Sequence, residues 1–301
     1  MAKKILAILM ALSFVVAFAA CGAKDNNTTT TEPDTEITDE STPADDTTEA
    51  TDVADDTTAA PADASETAAD ASETSAEDAS EEESTEPPKA PETKAEIIAY
   101  FNEASNKVKT DAKSVTRNYS KISLNGSTTL PSSLNTILKL LGGADSFLAD
   151  QLAKNSKTEP ETFTGSQIKS TYPVEGESWS SKLTEADVQS ATCEEKDGKY
   201  VITITTVADG KSDSVKHGQG HAPKAFNVVL PGVVNDNIPG VATSIVGTAT
   251  MNYPSSTVKV VVDPATGHVI SANYDLYWTI NFDKAGAILP FHTSDSYTIK
   301  Y

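Results

Sequence analysis

The sequence predicts an α+β fold, in which a curved antiparallel β-sheet packs on an N-terminal amphipathic helix and on short helices. Three observations predict it. Apolar residues recur with helical spacing after Thr93, turn residues separate stretches rich in β-branched side chains, and a long segment near the C-terminus alternates apolar with polar residues. The elements are justified below in chain order.

Residues 1–20 are typical of a signal peptide. Lys3 and Lys4 form a charged start, residues 5–18 form an apolar stretch shorter than a membrane span, and Ala19 and Ala20 precede Cys21. This pattern resembles the lipobox of bacterial lipoproteins, with Phe18 at a position where that family usually has Leu. The resemblance implies cleavage before Cys21, palmitate-type acylation of Cys21 and anchoring at the extracytoplasmic face of the cell membrane. An ordinary signal peptide with a chance cysteine is the alternative.

Residues 21–93 form an acidic segment of low complexity. The chain has a net charge of −21 and 44 Asp and Glu residues, of which 23 lie here beside only two lysines. Thr, Ala, Ser and Pro supply most of the remainder, and such a composition cannot bury enough apolar surface to offset its conformational entropy. We therefore expect a disordered tether between the membrane and the domain. Cation or cell-wall binding by its carboxylates is the functional alternative.

Residues 94–301 are expected to form a single globular domain, beginning with a helix. Thr93 and Glu96 have the spacing of a capping box. One helical face then carries Ile97, Ile98, Phe101, Ala104 and Val108. The stretch 114–124 predicts a strand, and two short helices follow, the first with an apolar stripe of Leu134, Ile137, Leu138 and Leu141.

The C-terminal part predicts antiparallel strands. Asp197-Gly198 predicts a tight hairpin turn, and residues 263–267 predict the turn of a second hairpin. In the strand that follows, the apolar face is predicted to carry Ala272, Tyr274, Leu276, Trp278, Ile280 and Phe282. Residues 295–301 predict one closing strand.

This order of elements over residues 94–301 resembles the half-barrel of bacterial carriers that move lipoproteins or lipoglycans outside the membrane. The resemblance is architectural and transfers no functional residue. It implies an apolar cavity for acyl chains between sheet and helices, although the same residues could equally form a filled core. The chain is thus expected to be a membrane-anchored binding module for a protein partner or an apolar, lipid ligand.

Few residues point to chemistry. His217 and His221 have a spacing that can place two metal ligands on one helical face, with Asp213 nearby, but Gly218 and Gly220 favour a loop, so no metal site is assigned. Cys193 is predicted to be a small buried hydrophobic residue. No cofactor motif and no basic stretch for nucleic acid occurs. An exported cell-envelope hydrolase with scattered catalytic residues remains the alternative to a non-enzymatic module.

Overall fold

A computed structural model of the protein describes residues 89–139, 142–238 and 240–301. The signal peptide, Cys21 and nearly all of the acidic segment therefore lie outside the described residues. The helices are α1 (Lys94–Asp111), α2 (Ser132–Lys139), α3 (Ala144–Asn155), α4 (Pro231–Asp236) and α5 (Gly240–Val246). The strands are β1 (Ser114–Leu124), β2 (Glu161–Thr164), β3 (Val188–Lys196), β4 (Lys199–Thr206), β5 (Ala249–Asn252), β6 (Thr257–Asp263), β7 (His268–Phe282) and β8 (Ala287–Lys300).

The strands form one curved antiparallel sheet, which confirms the predicted fold class. Its order is β2-β1-β8-β7-β6-β4-β3, and β5 pairs with the end of β7. Because β1 pairs with β8, the first and last strands of the domain are neighbours in the middle of the sheet. Strands that are consecutive in sequence are also neighbours in the sheet for β1–β2, for β3–β4 and from β6 to β8.

Helix α1 begins where its sequence predicts. The Thr93 hydroxyl accepts a hydrogen bond from the Glu96 backbone N–H at 3.2 Å, and the Glu96 carboxylate accepts one from the Thr93 N–H at 2.9 Å. The predicted apolar face is buried, from Ile97 to Val108, and packs against β3, β4 and β7. This capping box fixes the start of the helix, and the buried stripe fixes its orientation on the sheet.

The two predicted hairpins are present. Asp197 and Gly198 join β3 to β4 with φ angles of 53° and 68°, the positive values that a tight turn of this kind requires. Strand β7 shows the predicted alternation, with Trp278 only 1% exposed. Asn281 is an exception, since it lies on the polar face yet is buried, where its amide donates to Asn252 Oδ1 at 3.0 Å.

We call the sheet face that carries Trp278 the inner face, because the helices pack there. Strand pairing places Asp295, Tyr297 and Arg117 on this same face, beside Tyr274 of β7. Of the predicted stripe on α2, Leu138 is fully buried, while the side chains at 134, 137 and 141 lie outside the described residues. The inner face and the helices thus share one hydrophobic core.

Candidate functional site

Segment 169–177 crosses the inner face of the sheet, where aromatic and ionisable side chains contact it. Tyr172, fully buried, lies edge-on to Tyr297 and Tyr274 with ring centroids 5.3 and 6.2 Å apart. Phe226 packs edge-on to Tyr274 at 5.6 Å. These four rings, which we call the aromatic cluster, fill the space between the segment and the sheet, and such pairs add stability beyond the area they bury.

Lys109 holds this segment from the side of α1. Its ammonium group donates hydrogen bonds to the backbone carbonyls of Val174, of Glu177 at 2.9 Å and of Lys169 at 3.4 Å. The residue is 6% exposed, and burial lowers the pKa of Lys109 to about 8, against the opposing effect of nearby glutamates. Because its three hydrogen bonds all go to backbone carbonyls of segment 169–177, Lys109 fixes the position of this segment.

Asn227 binds Glu175 through two hydrogen bonds. The Asn227 side-chain carbonyl accepts a hydrogen bond from the Glu175 N–H at 2.7 Å, and the Asn227 amide donates to Glu175 Oε1 at 3.0 Å. Burial raises the pKa of Glu175 to about 8. The negative charge of Asp295 adds to this rise, whereas Arg117 and Lys109 oppose it.

Asp295 of β8 is the second carboxyl group beneath the segment. It is 7% exposed, and its Oδ1 atom is buried without a hydrogen-bond partner. Arg117 of β1 shares this face but directs Nη2 to Glu161 at 3.0 Å, leaving its own Nε atom buried and unpartnered. Burial raises the pKa of Asp295 to about 6. Among the described residues, no salt bridge joins Glu175 or Asp295 to a basic side chain.

Two carboxyl groups that titrate near neutrality could act as acid and base in a hydrolase. In this structure, however, segment 169–177 and its buried tyrosine separate Asp295 from solvent. The arrangement can take up and release protons, but the burial of Asp295 limits its access to a substrate.

His221 belongs to a second polar cluster, centred on Asp187. His221 Nδ1 lies 2.8 Å from Asp187 Oδ1, and Lys224 Nζ donates to both carboxylate oxygens at 2.7 and 2.9 Å. The Thr184 N–H and hydroxyl donate as well, at 2.8 and 2.7 Å. Burial favours the neutral acid, but hydrogen bonds from Lys224, Thr184 and His221 outweigh it and lower the pKa of Asp187 to about 2.

Asp209 holds the same loop. Its two carboxylate oxygens accept the backbone N–H groups of His221 and Ala222 at 2.7 and 2.8 Å, and a Cβ on Gly220 would lie 2.6 Å from the carboxylate. Asp209 also lines a surface pocket of about 250 Å³ with Tyr253 and Gln219. The ring Nδ1 of His221 bonds to Asp187, and its backbone N–H donates to Asp209. Neither of these two partners is a hydroxyl or thiol nucleophile.

The three candidate metal ligands, His217, His221 and Asp213, differ in burial and in hydrogen bonding. His221 uses one ring nitrogen on Asp187, His217 has a buried Nδ1 without a partner, and Asp213 is exposed. Burial lowers the pKa of His217. Across the described ranges, no group of three or more His, Cys, Asp or Glu side chains is arranged to hold a metal ion.

Cys193 is partly buried on β3 and packs against the core, and burial raises the pKa of its thiol. A raised thiol pKa disfavours the nucleophilic thiolate. Cys193 therefore contacts the core but is less buried than predicted.

The other side of the sheet is polar, and we call it the outer face. It is represented by Tyr119, Lys121, Lys259, Tyr277, His292 and Ser294, all partly or fully exposed. Tyr277 and His292 stack with centroids 4.6 Å apart, and His292 Nε2 lies 3.0 Å from Asp275 Oδ1. Lys121 Nζ lies 4.7 Å from the centre of the Tyr119 ring. These contacts fix the positions of the Tyr277 and Tyr119 rings on the outer face.

The sequence reasoning did not single out Lys109, Glu175, Asp187, Asp209 or Asp295. One signal was available for Asp295, since it interrupts the alternating apolar series Phe291, Tyr297 and Ile299 at an inward position.

Comparison of the chain with protein-family models, with curated proteins and with solved structures finds no match. Within the described ranges, no helix has the length and apolar character needed to cross a membrane.

Proposed function

We propose that this chain is an exported lipoprotein, anchored through acyl chains on Cys21, whose domain is a non-enzymatic binding module acting through the outer face of its sheet. Anchoring rests on the signal-peptide pattern that ends at Cys21. A binding role rests on the domain, in which the polar clusters bind parts of the domain itself and the aromatic cluster fills the inner face beneath segment 169–177.

The outer face is the observation that carries the proposal. Six of the strands, from β1 across to β3, contribute to it, and its tyrosines are positioned by His292 and Lys121. Both tyrosines, Tyr119 and Tyr277, are partly exposed. Surface tyrosines with polar neighbours are enriched where proteins bind other macromolecules, because the ring supplies contact area and the hydroxyl supplies a hydrogen bond. We therefore expect a protein partner of the cell envelope to bind here.

Photo-crosslinking in cells tests this surface. A photoreactive phenylalanine placed at Tyr277 or at Tyr119 should give one discrete higher-mass adduct. The same residue at Asp213, an exposed position that is not part of the outer face as defined above, serves as the control and should give none. If neither tyrosine position gives an adduct, or if all three positions give the same one, the outer face is not the binding surface.

Detergent partitioning tests the anchor. Cys21→Ala should move the protein out of the detergent phase or leave the signal peptide uncleaved, whereas Cys193→Ala should behave as the wild type. Mature Cys21→Ala protein that stays in the detergent phase would exclude Cys21 as the lipidation site.

A carrier of an apolar ligand is the second candidate, favoured by the curvature of the sheet and by the short helices α2, α4 and α5 beside its core. Native mass spectrometry of gently purified residues 89–301 distinguishes the two. A bound lipid would support the carrier, and a ligand-free domain would support the protein-binding module. For the hydrolase alternative, neither His221 nor Cys193 has the surroundings of a catalytic group.

A further inference from the structure

Segment 169–177 is attached to the domain at three separate points. Lys109 binds three of its carbonyls, Asn227 binds Glu175 through two hydrogen bonds, and Tyr172 inserts into the aromatic cluster. Two of the three attachments involve ionisable groups that are removed from water to different extents, since Lys109 is buried and Glu175 is partly buried.

Glu175 is the group whose charge the site accommodates least well. Three ionisable groups interact with it, namely Asp295 from β8, Arg117 from β1 and Lys109 from α1, and the uncharged Asn227 amide binds it. Arg117 is engaged by Glu161, and Lys109 points its protons at backbone carbonyls. An ionised Glu175 would therefore be partly desolvated near a second carboxyl group, without a salt bridge to a basic side chain, which is unfavourable.

We propose that segment 169–177 is a proton-controlled latch. It stays closed over the aromatic cluster while Glu175 is protonated, and it opens locally when Glu175 loses its proton, exposing Tyr172 and the inner face of the sheet. This inference is independent of the role proposed for the outer face.

The sign of the pH dependence follows from linkage. A carboxyl group that binds its proton more tightly in the closed than in the open state makes opening easier as the pH rises. Burial raises the pKa of Glu175 from 4.5 to about 8, so the opening equilibrium should increase across the interval between these values. His217 beside Lys109 acts in the opposite direction below its ordinary value of 6.5, and the lowered pKa of Lys109 acts only above about 8.

Hydrogen exchange followed by mass spectrometry, at pH 6.5 and pH 8 with labelling times corrected for intrinsic exchange, tests the latch on the full mature chain. Peptides covering 169–177 should open about tenfold more at pH 8, while peptides from the β3–β4 hairpin should not change. Glu175→Gln should remove the response, because a glutamine stays neutral in both states. Glu177→Gln is the matched control, since Glu177 contacts Lys109 through its backbone carbonyl, and it should respond as the wild type.

A second variant gives an independent result if Glu175→Gln fails to fold. Asp295→Asn removes the carboxyl group that disfavours ionisation of Glu175, so the pKa of Glu175 in the closed state should fall. The rise in opening should then level off at a lower pH and be smaller than in the wild type. Equal opening of the wild type at both pH values, an unchanged response in Glu175→Gln, or an unshifted profile in Asp295→Asn would each overturn the proposal.

Discussion

The ionisable residues of the interior differ in how far their partners compensate for burial. Asp187 receives hydrogen bonds from Lys224, Thr184 and His221, and its charge is stabilised. Asp295 has an unpartnered oxygen, and its neutral form is favoured. Buried acids of the same chemistry therefore stabilise the fold in opposite pH ranges.

The Asp187 cluster gives a prediction with a defined pH range. Asp187→Asn should lower the free energy of unfolding at pH 7 by about 2 to 3 kcal/mol, because Lys224 loses its counter-ion and an NH2 donor replaces one of the two acceptor oxygens. Since the pKa is lowered from 3.8 to about 2, the wild type should lose this contribution as the pH falls from about 4 to 2. Urea denaturation at pH 7 and pH 3 measures both effects. The exposed control Asp213→Asn should change little, and a stable Asp187→Asn variant would contradict the role of the cluster.

Neighbouring aromatic residues on β7 test the two faces of the sheet. Trp278 is 1% exposed, stacks on Phe291 at 4.3 Å and donates to Thr293 Oγ1, so Trp278→Ala should cost about 3 to 5 kcal/mol. Tyr277→Ala, on the outer face, should cost far less. Denaturant titration of both variants gives the comparison, and equal small losses would mean that Trp278 does not lie in a packed core.

At the scale of elements, the sequence predicted those whose signals are local. Helix α1, the β3–β4 turn and the alternation of β7 each follow from residues within a few positions of one another. Strand β8 begins at Ala287, earlier than predicted, because Pro290 obscures its first half. The four-residue strands β2 and β5 are too short to carry a pattern, and they are strands because β1 and β7 offer them pairing partners.

The candidate site was less predictable than the fold for a related reason. Lys109 meets the carbonyl of Val174, 65 residues away, and His221 meets Asp187, 34 residues away. No spacing rule connects such positions, since only the completed sheet brings them together.

The β3–β4 turn allows a matched glycine test. Gly198 has a φ of +68°, whereas Gly210 lies outside the left-handed region, and a Cβ at either position would meet no neighbouring atom within 4 Å. Gly198→Ala should therefore cost about 1 to 2 kcal/mol through backbone strain alone, and Gly210→Ala should cost much less. Thermal or denaturant unfolding of the pair measures the difference. Equal losses would show that strain at the turn does not limit stability.

At the scale of the whole molecule, charge is distributed very unevenly. Residues 94–301 are nearly balanced, with 21 acidic and 19 basic residues, and the excess negative charge lies before them. The net charge of residues 94–301 is therefore close to zero, and they carry no excess positive charge for the acidic segment to neutralise.

Removing that segment tests its predicted role as a spacer. Deletion of residues 24–88 should leave the melting temperature of the domain unchanged within experimental error, because a solvated tether makes no stabilising contacts. Differential scanning calorimetry of the soluble full-length and shortened proteins, both lacking residues 1–20, gives the result. A fall of several degrees would mean that the acidic segment packs on the domain.

The position of β8 between β1 and β7 has a consequence for how this protein matures. If the chain is exported from its N-terminus, as proposed above, β1 emerges first. Residues 125–286 must then follow before its main neighbour β8 begins to emerge. Contacts so distant along the chain slow folding and leave strand edges open during the delay. Under the proposed export, translocation should therefore finish before the domain can fold, and the unfolded chain should be most accessible to envelope proteases and chaperones in that interval.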